Sequence, residues 1–213
     1  MTSLRLLFQG DSITDANRST DIDTPNQPAS LGSGYVNLIT AKLLHNQPEL
    51  GLTVINRGIS GHRVVDLYAR WKRDAINLAP DIISILIGVN DLWHEFSTQN
   101  GVEPDRFDTV YRMLIDLTQA SLPNVRLVIC EPFLLPCGVV TDNWHTDMDT
   151  RRALVKQLAS DINATFVPFQ AAFDDACERA PADYWARDGV HPTPAGHQVM
   201  AEAWLNTVGN ISN

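Results

Sequence analysis

The chain has 213 residues, 44% of them hydrophobic and 19% charged, and a formal net charge of -9. Such a composition supports a buried core and excludes intrinsic disorder. The acidic excess excludes nucleic acid and anionic membrane surfaces as natural partners.

The length suits one domain spanning residues 1–213. LRLLF (4–8) is brief, apolar and strand-like, and it stops at Gly10-Asp11-Ser12. The polar stretch 11–33 reads as a loop. GYVNLITAKLLHNQ (34–47) is an amphipathic helix with Val36, Ile39, Leu43 and Leu44 on one face. TVIN (53–56) is a second strand, followed by a helix over VVDLYARWKRDAINLA (64–79). DIISILIG (81–88) is a third strand and FDTVYRMLIDLTQASL (107–122) a helix. VRLVIC (125–130) is a fourth strand. The segment 131–147 reads as a loop, with His145, Asp142 and Asp147 solvated on it. A helix over DTRRALVKQLASDI (149–162), a strand in ATFVPF (164–169) and a last helix, PAGHQVMAEAWLNTV (194–208), complete the pattern. Pro194 is a helix-start residue.

Strands that alternate with helices imply a parallel sheet covered on both faces, and right-handed crossovers make it doubly wound. The N-terminus lacks the apolar core and cleavage site of a signal peptide. No window approaches the roughly 18 apolar residues of a membrane span. The three cysteines, Cys130, Cys137 and Cys177, are odd in number and form no Cys-x-x-Cys pair, which points to reduced thiols in the cytoplasm. No ligand cluster of metal spacing forms around His62 or His94, so neither metal nor cofactor is expected.

In a doubly wound sheet the site lies at the carboxyl ends of the strands. The segments there are Gly10-Asp11-Ser12, then Asn56 to His62, then Gly88-Val89-Asn90-Asp91, then Glu131-Pro132-Phe133. Asp188-Gly189-Val190-His191 precedes the last helix. They supply a hydroxyl, backbone N–H groups freed by glycine, a carboxamide, and a carboxylate three residues before an imidazole. Acyl transfer needs that set: a serine made nucleophilic by a base, a carboxylate that fixes the imidazole tautomer, and donors for the oxyanion. Ser12, His191 and Asp188 take the first three roles. The Ser12 and Gly58 N–H groups and the Asn90 amide are the donors. Each residue also has a plainer use: Ser12 as a helix cap, Gly58 in a tight turn, Asn90 in an Asx turn, Asp188 with His191 as a surface pair. Gly58-Ile59-Ser60-Gly61 imitates the Gly-x-Ser-x-Gly elbow, but position 62 is His62 and the spacing fails.

GDSIT (10–14), Gly58 in NRGISG, GVND (88–91) and DGVHPT (188–193) resemble the four blocks of the GDSL, or SGNH, hydrolases. The resemblance implies a three-layer α/β/α sandwich with a five-stranded parallel sheet in flavodoxin-like order. It implies Ser12 as nucleophile, His191 as base, Asp188 as its orienter, and Gly58 and Asn90 as oxyanion donors. LGSGYVNLI, VINRGISGHRVVDLYARW, PDIISILIGVNDLW and FQAAFD are similar to the intracellular bacterial acetylxylan esterases of that family. That likeness implies a small acyl ester as substrate, an acetylated sugar above all, and association into homo-oligomers. Asp11, Tyr35, Arg63, Trp93 and Trp185 are the candidates for substrate contact. The competing functions are a broad short-chain carboxylesterase or thioesterase, a lysophospholipase, a non-catalytic sugar-binding domain, and a metal-dependent hydrolase.

Overall fold

The structure, a computed structural model, describes residues 4–211. In chain order the elements are β1 (Arg5–Gly10), α1 (Ser12–Asp15), α2 (Pro28–Leu31), α3 (Tyr35–Asn46), β2 (Thr53–Asn56), α4 (Val64–Asp74), β3 (Ile82–Leu86), α5 (Val89–Thr98) and α6 (Pro104–Ser121). They continue with β4 (Arg126–Cys130), α7 (Asp142–Asp161), β5 (Thr165–Val167), α8 (Phe169–Cys177), α9 (Ala182–Trp185) and α10 (Pro194–Val208). The five strands are all parallel and run in the order β2-β1-β3-β4-β5. This is the flavodoxin-like arrangement, and its order reverses between β1 and β3.

Alternation along the strands splits the core in two. Leu6 and Phe8 of β1 face α3, α8 and α10, where they pack with Tyr35, Ile39, Phe173 and Trp204. Leu7, between them, faces α4, α6 and α7, and packs with Trp71, Tyr111 and Leu158. Each fully buried aliphatic or aromatic side chain of this kind contributes about 1.5–3 kcal/mol. The two fully buried indoles keep their N–H groups bonded: Trp71 donates to Thr118 Oγ1 at 2.8 Å and Trp204 to Ser84 Oγ at 3.0 Å.

All five expected strands are present, with shifted ends. β1 continues to Gly10, and β5 stops at Val167 because Pro168 and Phe169 turn into α8. The helix expected over 64–79 ends at Asp74, where Ala75 leaves helical geometry and a 3-10 turn over Ile76–Leu78 follows. The loop expected over 11–33 contains α1 and α2. The loop expected over 131–147 ends at Thr141. Asp142, His145 and Asp147 therefore lie on α7, and Asp147 pairs with the buried Arg151 at 2.5 Å. α5, α8 and the short α9 answer to no expected helix. α5 starts inside Gly88-Val89-Asn90, a stretch that reads as a post-strand turn, and buries only its first four residues, Val89 to Leu92. Among the described residues no helix is long and apolar enough to cross a membrane.

Candidate active site

Ser12 is the first residue of α1, directly past the end of β1. The Asp11 carboxylate caps that helix by accepting from the Ile13 N–H at 3.0 Å. The chain brings His191 to it from 179 positions away: Ser12 Oγ and His191 Nε2 are 2.8 Å apart. On the other side of the ring, Nδ1 lies 2.7 Å from Asp188 Oδ2. A carboxylate accepts only, so Nδ1 carries the proton and Nε2 is left as the acceptor for the serine hydroxyl. The second carboxylate oxygen, Oδ1, accepts from the backbone N–H groups of Val190 at 2.9 Å and His191 at 2.7 Å. Partial burial works against the charged form of Asp188. The ring and backbone hydrogen bonds outweigh it and hold the carboxyl below its ordinary range. The Asp188 loop is itself tied down: its backbone carbonyl accepts from the Val139 N–H at 3.1 Å, and the Gly189 carbonyl accepts from Leu135 at 2.8 Å.

Gly58, expected as an oxyanion donor, is placed away from the cleft. Gly58 is buried, and its N–H is bonded to Asn56 Oδ1 at 2.8 Å. The Asn56 orientation is fixed, since its Nδ2 donates to the carbonyls of Thr14 at 2.7 Å and Leu31 at 2.8 Å. The Gly58 N–H therefore does not face the cleft. What requires a glycine there is the approach of α1: a Cβ would stand 2.3 Å from Asp15 N and 2.7 Å from Thr14 C. Gly61 lines the cleft instead, beside Ser12, Asn90 and His191. The His62 N–H donates to the Ile59 carbonyl at 3.2 Å, and Gly61 sits at φ 81 while Ser60 keeps a negative φ. These values define a type II turn with glycine at its third position. The Gly61 N–H has no acceptor among the described residues. Asn90, in the first turn of α5, gives one amide proton to the His62 carbonyl at 3.1 Å and keeps the other. The neighbouring Asp91 is fully buried, and both its oxygens accept from the Val64 N–H, at 3.0 and 3.2 Å. Burial pushes its carboxyl up to about 7.

The cleft measures about 610 Å³, and its lining includes Asn17, Ser60, Trp93, His94 and Ser97 around the reactive groups. Asn90, Trp93, His94 and Ser97 form one stripe of α5, at steps of three, one and three residues. The Trp93 ring lies 5.7 Å from the His191 ring and 5.4 Å from Trp144, on which the exposed Phe96 stacks at 5.5 Å. Of the five candidates for substrate contact, Trp93 is in the cleft and four are not. Asp11 is 1% exposed behind Ser12, and burial pushes it up to about 7. Tyr35 is fully buried, with its hydroxyl 3.0 Å from Thr14 Oγ1. Arg63 is held by Asp66 at 2.9 Å and by the Asn100 carbonyl at 2.6 Å. Trp185 is buried and donates to the Ala180 carbonyl at 3.1 Å. Ser97 goes unseen in the sequence, and His94 is weighed there only as a metal ligand, because the helix that aligns both with Asn90 is not expected. The signal for Gly61 is its place, one residue past Ser60, in a turn set aside as a failed elbow. No group of three or more His, Cys, Asp or Glu side chains among the described residues is placed to hold a metal. A larger groove of about 680 Å³ between α3 and α10 is lined by residues such as Leu38, Lys42 and Leu205, and it lies apart from these groups.

Residues 8–199 match the GDSL-like Lipase/Acylhydrolase family. An acetylxylan esterase of Geobacillus stearothermophilus is 37% identical over 209 residues, covering 96% of this chain and 94% of that protein. Among solved structures, a protein described as a GDSL-like lipase from Parabacteroides merdae superposes with a TM-score of 0.95 at 40% identity, over 97% of this chain and 96% of its own. Axe2, an acetylxylan esterase from G. stearothermophilus, superposes at 0.88 with 37% identity, over 97% of this chain and 94% of its own. Catalytic mutants of Axe2 replace a serine, an aspartate or a histidine by alanine.

Proposed function

We propose that this chain, which belongs to the GDSL-like lipase/acylhydrolase family and is a carboxylic ester hydrolase, removes acetyl groups from carbohydrate esters such as acetylated xylo-oligosaccharides. The observation that carries the reading is the unbroken relay from Ser12 Oγ through the His191 ring to Asp188, at 2.8 and 2.7 Å.

The chemistry follows from that relay. Ser12 Oγ attacks the ester carbonyl carbon as His191 Nε2 takes the hydroxyl proton. Asp188 stabilises the imidazolium and keeps the ring in its orientation. The carbonyl oxygen gains negative charge and is met by the Ser12 N–H, the Gly61 N–H and the free proton of the Asn90 amide, each worth about 2.7–4 kcal/mol. The tetrahedral species collapses, the carbon–oxygen bond to the alcohol breaks, and His191 returns its proton to the departing oxygen. A water molecule, deprotonated by His191, then attacks the acetyl-Ser12 ester. Acetate leaves and Ser12 regains its proton.

Three features favour a neutral sugar as the departing alcohol. The cleft is far larger than an acetyl group and bears hydroxyl, amide and imidazole side chains from Ser60, Ser97, Asn17 and His94. Trp93 offers a flat apolar face beside the base. The net charge of -9 works against the phosphates of acyl-CoA. The aromatic series Trp93–Trp144–Phe96 favours, as a second reading, a broad short-chain esterase that accepts aryl alcohols. The three free thiols accord with a reducing compartment, the cytoplasm, and we place the enzyme there. Kinetics on acetylated xylobiose, acetyl-CoA and aryl acetates separate these readings. A higher kcat/KM on acetylated xylobiose than on either other class is the expected result, and equal rates on all three would refute the sugar assignment.

A further inference from the structure

We propose that Asp15 is a positioning residue that ties the oxyanion loop to the helix carrying the nucleophile, and so sets where the Gly61 N–H stands relative to Ser12. This rests on the reading of Gly61 as an oxyanion donor.

Asp15 ends α1, three residues after Ser12. Its Oδ2 accepts from both the Ser60 hydroxyl, at 2.6 Å, and the Ser60 N–H, at 3.2 Å. Its Oδ1 accepts from the Arg18 N–H at 3.2 Å, and Arg18 Nε in turn donates to the Gly58 carbonyl at 2.8 Å. The turn over Ile59 to His62 is otherwise held at its ends: at His62, the carbonyl accepts from the Asn90 amide and Nδ1 from Arg70 Nε, both at 3.1 Å. Ser60 is exposed, and nothing stands within 4 Å of where a Gly61 Cβ would be. At the other end, the Ile59 N–H donates to the Gly10 carbonyl of β1, at 3.1 Å. A donor contributes to the rate only if it meets the developing oxyanion at hydrogen-bond distance, and a displacement of about 1 Å can cost up to 100-fold. A carboxylate on α1 that grips the residue next to Gly61 makes nucleophile and donor move as one body. Asp15 is not among the residues that line the cleft, so its effect runs through Gly61.

The experiment is a double-mutant cycle between Asp15→Ala and Gly61→Ala, with p-nitrophenyl acetate kinetics, thermal unfolding and the affinity for phenylboronic acid, whose serine adduct imitates the tetrahedral species. In the parent enzyme Asp15→Ala is expected to lower kcat about tenfold with KM within about threefold, and to weaken the boronate in proportion. In the Gly61→Ala background, where the donor is already misplaced, the same change should cost less than about threefold. Asp15→Asn keeps an acceptor for Ser60 and should restore kcat to within about threefold of the parent. Full additivity of the two alanine changes would overturn the proposal, as would an Asp15→Asn enzyme as slow as Asp15→Ala. So would an Asp15→Ala enzyme whose kcat per folded molecule is unchanged. If Gly61→Ala alone left kcat intact, the donor reading would fail first, and that result is distinct from the other three.

Discussion

Gly61 and Gly58 stand three residues apart in one loop, and replacing each by alanine tests the proposal that the first acts in catalysis and the second in packing. At Gly61 the added methyl has open space, so the whole cost is conformational. Holding an alanine in the left-handed region costs about 1–2 kcal/mol. The resting enzyme escapes that cost by turning the Ser60–Gly61 peptide over, which moves the N–H away from the cleft. At the transition state the variant has two options. It can do without the donor, worth about 2.7–4 kcal/mol, or it can restore the turn and take the strain. Restoring it is cheaper, so the barrier rises by about 1–2 kcal/mol and kcat falls about 5–30-fold. KM changes little, because the ground-state carbonyl carries little charge. The relieved resting state keeps Tm within about 4 °C of the parent. At Gly58 the same methyl would lie 2.3 Å from Asp15 N, a backbone atom that cannot step aside. That overpacking costs about 1–3 kcal/mol of stability or more and displaces α1 with its serine. Steady-state kinetics with p-nitrophenyl acetate beside thermal unfolding read both variants. A Gly61→Ala enzyme with unchanged kcat, or a Gly58→Ala enzyme that loses kcat at unchanged Tm, would refute the assignment.

Asp188→Asn offers an amide where the ring needs an acceptor for its Nδ1 proton, and kcat should fall by about 10³–10⁴ while circular dichroism is retained. An effect under tenfold would show that the ring is oriented without the carboxylate. Trp93→Ala should raise KM for acetylated xylobiose about tenfold and leave p-nitrophenyl acetate within about threefold, as expected for loss of one aromatic face; equal losses on both would assign Trp93 to packing. His197 is largely buried, its Nδ1 accepts from the Tyr35 N–H at 3.2 Å, and burial lowers its pKa from 6.5 to about 4. Between those values the unfolded chain binds the proton and the folded one does not, so stability rises with pH through this window and is complete above 6.5. Tm measured from pH 4 to pH 7 should therefore climb less steeply in His197→Gln than in the parent, and an unchanged slope would contradict the assignment.

The layers of this fold were legible because its strands are short, continuous apolar runs and its core helices carry clear stripes. β3, fully buried from Ile82 to Leu86, reads as a strand from residue types alone. The helices with no clear signature in the sequence are a single turn long, serve the site, or follow a strand without a break. α5 opens with Val89 and Asn90, inside a stretch that reads as a post-strand turn, and buries little beyond its first turn. α8 begins at Phe169, which also reads as the end of a strand. Ser12, His191 and Asp188, which the structure brings together, were legible because each sits in a polar turn at a strand or helix boundary. Gly61, the glycine that lines the cleft, was not, because Gly58 and Gly61 look alike in sequence. Only the contact of Gly58 with α1 and the turn around Gly61 tell them apart. Tyr35 and Trp185 were misplaced for a related reason: nearness to a site loop along the chain does not fix the side of the sheet a ring faces, and both rings face the core.

The central claim is that the acyl group passes through Ser12. Rapid quenching of the enzyme with p-nitrophenyl acetate, followed by peptide mass spectrometry, tests it directly. One acetyl group on Ser12, gone after further incubation and not formed in His191→Ala, is the predicted result. An acetyl group on Ser60 in its place, or turnover with no acetylated peptide at any quench time, would contradict it.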